Sequence, residues 1–104
     1  MTDTDETKSV YEQLGFADAD AMMVKAQLVV KIAAILQTRA WSQQQAAKEL
    51  GITQPKLSRM LRGQFRGISE SKMMECLVRL GCDVKIVVGQ GSDGTAGRVE
   101  VVAA

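Results

Sequence analysis

The side chains that could do chemistry in this chain are amides, hydroxyls and cations crowded into one stretch. Gln43, Thr53, Gln54, Lys56, Ser58, Arg59, Arg62 and Arg66 fall within 24 residues, and no acid occurs between Leu50 and Ser69. This set has no nucleophile–base pair; it suits non-covalent recognition. Gln and Arg can each make two parallel hydrogen bonds to a base edge, and Lys and Arg neutralise phosphates. Catalysis has little to work with: the chain has no histidine, no paired carboxylates on a common face, and no glycine loop between a strand and a helix. Gly89-x-Gly91 leads into no helix, so no phosphate loop is read there. The sequence therefore argues against an enzyme.

Elements that could position these groups are readable on either side of Gly51. Ser42 with Gln45 three residues on forms a capping-box pattern that opens a short helix. Ala46, Ala47 and Leu50 form its inward face, Ala47 being small enough for close helix approach. Gly51 ends it in a position suited to positive φ. Thr53 is the N-cap of the next helix, with Pro55 in its first turn, where no N–H is needed. Leu57, Met60 and Leu61 are its apolar positions, and Gly63 stops it. Helix, tight turn and helix over Trp41–Gly63 form the pattern that places a second helix in the DNA major groove.

Around this unit the chain divides into three. Residues 1–9 are a polar, acidic and disordered lead. Residues 10–82 form the helical domain. Residues 83–104 carry strand patterns and a flexible tail. Val10–Phe16 is read as an apolar knot that packs Tyr11, Leu14 and Phe16 on the domain. A long helix follows over about Ala19–Arg39, capped by Asp18 or Asp20. Its stripe is Met22, Ala26, Val29, Ala33 and Leu36, widened by Leu28, Ile32 and Ile35. Phe65 is expected to anchor the loop after the turn unit. Ser69 caps a helix over Glu70–Leu80, with Met73, Cys76, Leu77 and Leu80 inward. Asp83–Val88 alternates as a strand, Gly89–Gly97 is a glycine-rich link, and Arg98–Val102 is a second strand pattern. These strands close an intramolecular hairpin or pair across a dimer; the pattern leaves both open.

The net charge of +1 hides a strong asymmetry. Residues 1–20 carry −5, residues 21–68 carry +7 and residues 69–104 carry −1. The cationic third coincides with the helix-turn-helix, as a phosphate backbone requires. Cys76 and Cys82 make neither a disulfide framework nor a zinc set without histidine, so no metal or cofactor is expected. The N-terminus lacks a secretory signal pattern, and Leu28–Leu36 is too short to span a membrane. A cytoplasmic protein is expected.

QQQAAKELGITQPKLSRMLRG resembles the DNA-binding helix-turn-helix of the XRE family of phage-repressor type. The likeness rests on Gln43, Ala47, Gly51, Leu57 and Gly63. The preceding SVYEQLGFADADAMMVKAQLVVKIAAIL and following LVRLGCDVKIVV resemble a subgroup of HigA-like antitoxins and small XRE regulators, so that the likeness spans about Val10 to Val88. It departs at Pro55, where relatives often carry a DNA-touching residue, and at Ala46, where a larger apolar residue is frequent. The acidic lead and the glycine-rich tail are additions.

The resemblance implies a mainly α, lambda-repressor-like helical bundle with a short C-terminal β-strand or hairpin. It implies a repressor that binds a palindromic operator on double-stranded DNA as a homodimer. Its alternative is the antitoxin of a HigBA-like pair, neutralising a ribonuclease toxin and repressing its own operon. In either case Gln43 and Thr53 would meet phosphates, Gln54 and Lys56 would lie nearest the groove floor, and Arg59 would read guanine. Ser58 would face the DNA, and Arg62 and Arg66 would hold the backbone.

Overall fold

A computed structural model describes residues 18–91 and 97–102. Four helices follow in order: α1 (Asp18–Arg39), α2 (Gln43–Leu50), α3 (Gln54–Leu61) and α4 (Glu70–Arg79). The apolar knot expected over Val10–Phe16 lies outside the described residues, as does the acidic lead. No helix among the described residues is long and apolar enough to cross a membrane.

Local chemistry sets the helix ends. Ser42, Thr53 and Ser69 each sit in extended backbone before a helix, and each side-chain oxygen accepts from an N–H in the first turn. The capping box of α2 is only half made. Gln45 N–H donates to Ser42 Oγ at 3.1 Å, but the Gln45 side chain turns forward and donates to Glu49 Oε2 at 3.2 Å.

The core is aliphatic and sulfur-rich, and every helix contributes to it. Ile32 of α1, Leu50 of α2, Leu57 and Met60 of α3, and Met73 and Cys76 of α4 are fully buried. α1 packs most extensively on α4, while α2 packs on α3 and on α4. The backing of the two short helices is thus shared: α4 packs on α2, and α1 packs on α3. Phe65 is buried, as its anchoring role requires.

Two expectations change. The buried face of α1 is rotated from the expected stripe: it is centred on Ala21, Val24, Lys25, Leu28, Val29 and Ile32. Met22, Ala26, Ala33 and Leu36 lie at its half-buried margins. So many apolar residues surround this helix that spacing alone gives a broad stripe, and packing chooses its centre. The second change is at the C-terminus, where no strand forms among the described residues. The chain does double back, since a Cβ placed on Gly91 would lie 3.5 Å from Gly97 Cα. Among the described residues of the second arm, Val101 alone packs against the core. Ile86, Val87 and Val88 are 77–91% exposed, irrespective of alternation. A lone two-stranded ribbon without a covered face is marginal in water, which accounts for the missing ladder.

Candidate nucleic-acid interface

The site is built on the turn between α2 and α3. Gly51 takes the left-handed conformation (φ 70°, ψ 32°), its N–H turned back to the carbonyls of Ala47 and Lys48. Ile52 N–H donates to Ala47 O at 3.1 Å, which completes the stop of α2. The chain then redirects at once into α3. Ala46, Ala47 and Leu50 bury against the side on which Leu57 and Met60 point inward, so the angle between the helices is fixed by close packing.

α4 supports the turn from outside. Arg79 lies over Gly51 and donates to Glu49 O at 3.4 Å. Its Nε is held by Glu75 Oε2 at 3.2 Å, and the same oxygen accepts from Lys72 at 3.1 Å. The hydrogen bond from Lys72, followed by its charge, holds the Glu75 carboxyl below its ordinary value. Arg39 makes a comparable tie at the far end of α1, donating to Leu80 O at 2.7 Å while its guanidinium sits 5.2 Å from the Trp41 ring.

With the core satisfied, the outward side of α2 and α3 is left polar. Gln43, Thr53, Gln54, Arg59, Arg62 and Arg66 are exposed; Lys56 and Ser58 are half-buried. Gln43 opens α2, and Thr53 caps α3 with Gln54 as its first residue. Arg62 is the C-cap residue of α3, and Arg66 lies in the following loop. Among the described residues the side chains of Gln43, Gln54, Lys56, Arg59 and Arg62 make no ion pair or hydrogen bond. The backbone N–H groups of Gln43, Gln44 and Gln54 are likewise without acceptors there. Thr53 Oγ1 accepts from Lys56 N–H at 3.3 Å, which leaves its own hydroxyl proton to donate.

α3 has eight residues, hence a length of about 12 Å, comparable with the width of the major groove. Leu57 and Met60 turn inward, and its two cations, Lys56 and Arg59, with the C-cap Arg62 have no partner among the described residues, so the opposite side offers donors to a duplex. Sequence reading passed over Gln44 and Gln64, both exposed at the edges of this surface. Their signal was position: the second residue of a capped helix, and the residue after the Gly63 stop. No group of His, Cys, Asp and Glu suited to a metal ion occurs among the described residues.

The chain matches the model of a helix-turn-helix domain over residues 10–89. It is also similar to a solved structure described as a proposed XRE-family transcriptional regulator. The two are 35% identical with a TM-score of 0.78, over 85% of this chain and 100% of that one. The comparison with curated proteins finds no match. The agreement of fold, motif and extent over most of the chain places it: the protein belongs to the XRE family of helix-turn-helix DNA-binding proteins.

Proposed function

We propose that the protein is a sequence-specific DNA-binding transcriptional regulator that represses by occupying a palindromic operator as a dimer. The observation that carries this reading is the outward side of α3, where Lys56, Arg59 and the C-cap Arg62 have no partner among the described residues. Unpaired cations on a short, rigidly backed helix beside free helix-N-terminal amides are what a phosphate-lined groove engages. Gln43 and Thr53 fix the register on phosphates. Gln54 and Lys56 enter the groove first, with Ser58 alongside. Arg59 reads a guanine, and Arg62 and Arg66 grip the backbone.

Selection of bound duplexes from a random pool tests this directly. Enrichment of a palindrome with half-sites about 34 Å apart, or a multiple of that, is expected. Recovery of no preferred sequence would sink the repressor reading. Arg59→Ala should cost about 1–3 kcal/mol of discrimination at one base pair, whereas Arg62→Ala should weaken binding to every sequence.

The dimer is assigned to the C-terminal arm. Ile86, Val87, Val88 and Val102 are exposed, no ladder forms among the described residues of this arm, and pairing with a second copy would satisfy both backbone and side chains. Val87→Glu with Val88→Glu should shift the sedimenting species to a monomer. An antitoxin role draws on the same exposed arm as a protein-docking surface; a neighbouring reading frame for a small basic toxin that co-purifies with this chain would favour it.

A further inference from the structure

The centre of the buried face of α1 holds a cation. Lys25 lies between Ala21 and Leu28 on the stripe that meets the core, and it is 3% exposed. Lysine is almost never buried so completely without a counter-charge. Among the described residues no carboxylate lies within ion-pair distance of its Nζ. Glu70, the buried acid at the start of α4, leaves its Oε2 without a partner and is not paired with it. Instead, Nζ donates to the carbonyl of Arg66 at 2.8 Å, 41 residues away.

That carbonyl belongs to the loop behind α3. Phe65 and Ile68 are buried and Ile68 N–H donates to Phe65 O at 3.0 Å, so Phe65–Ile68 forms a β-turn with Arg66 and Gly67 exposed at its tip. The peptide between the two central residues of such a turn can take either of two orientations about 180° apart. The alternative needs positive φ at the third residue, which glycine permits freely. Gly67 here is not in the left-handed region. With Gly67 at that position, the local chain does little to hold the peptide; the bond from Lys25 does.

We propose that Lys25 is a positioning residue for DNA binding: it holds the Arg66 carbonyl toward the core, so that the exposed turn does not present a carbonyl oxygen to the phosphate backbone. The peptide is planar and trans, so holding the carbonyl inward sends the Gly67 N–H the other way. A flipped turn would set a partial negative charge beside the phosphates that Arg66 approaches. The inference rests on the DNA-binding reading and adds to it a residue that cannot itself touch DNA.

The test uses the full chain and a mixed-sequence duplex of about 20 base pairs at about 50 mM salt, read by fluorescence anisotropy. K25M replaces a buried ammonium with a side chain of similar length, and its thermal midpoint should equal or exceed that of the parent. Its affinity should nevertheless fall about tenfold, the scale of one lost charge-assisted contact. G67A decides the cause. A Cβ there meets nothing within 4 Å, and alanine opposes the positive φ of the flipped turn. G67A alone should bind within about threefold of the parent, and K25M/G67A should recover most of the loss.

Unchanged affinity in K25M overturns the proposal. So does a loss that G67A does not repair, since Lys25 would then act only through its charge. K25L is read in the same way should K25M fail to fold. Failure of both to fold makes Lys25 a core anchor and overturns the positioning role. A parent protein that binds no duplex at all removes the DNA-binding reading, and this inference with it.

Discussion

Gly51→Ala isolates the turn on which the whole interface depends. Gly51 sits at φ 70°, where an L side chain costs about 1–2 kcal/mol. Alanine regains about 0.5 kcal/mol by restricting the unfolded chain. The added Cβ would also lie 2.9 Å from Arg79 Cζ and 3.0 Å from its Nη1, so the guanidinium must move. Arg79 is half-exposed and flexible, and its bond to Glu49 O is long at 3.4 Å, so its displacement adds only about 0.5 kcal/mol. The net loss is about 1–2 kcal/mol, or a fall in thermal midpoint of about 4–15 °C for a body of this size. Urea and thermal unfolding of G51A, R79A and G51A/R79A measure it. The double-mutant cycle should give a coupling of about 0.5 kcal/mol, the steric share. Gly51→Asn, which tolerates the left-handed region better, should lose less than G51A. A G51A protein as stable as the parent would refute the reasoning, because neither the backbone conformation nor the Arg79 contact could then be as described.

Leu50→Ala removes a fully buried side chain at the junction of α2 with α3 and should destabilise by about 2–5 kcal/mol, read from denaturant midpoints. Burial raises the Cys76 thiol above its ordinary value, so a thiol reagent at pH 8 should label Cys82 in the native protein and reach Cys76 only on unfolding. A raised folded-state value also means that stability from burying the neutral thiol is intact below the ordinary value of 9.0 and declines as pH rises above it; Cys76→Ala should lack that alkaline decline. Four cations on α3 and its loop, Lys56, Arg59, Arg62 and Arg66, set an upper bound on the phosphates one chain would neutralise there. Log affinity should therefore fall against log salt with a slope no steeper than about −4 per bound chain, and Arg62→Ala should flatten it by about 1.

How legible this was follows from the range over which each determinant acts. Ser42, Thr53 and Ser69 cap through residues three positions away, and Gly51 closes α2 with its own backbone, so caps and turn could be read directly. The inward and outward sides of α2 and α3 were also legible, because short amphipathic helices have a narrow apolar side and one way to face it. α1 was harder: with apolar residues on most sides, the buried centre depends on where α4 lies. Lys25 was invisible as a structural residue for the same reason, as a lysine on a helix reads as surface and its acceptor is 41 residues on. The Arg79 support of Gly51 spans 28 residues and has no local signature. At the C-terminus, alternation over Asp83–Val88 records a capacity to pair but cannot supply a partner, and the chain alone leaves Ile86, Val87 and Val88 in solvent. The net charge misled in a similar way. Lys25 is bonded to a loop carbonyl, Arg39 to Leu80 and Arg79 to Glu49, so these cations bind the fold together. Among the described residues Lys56, Arg59 and Arg62 have no partner, and that, more than the sum of charges, marks the side of the molecule suited to an external polyanion.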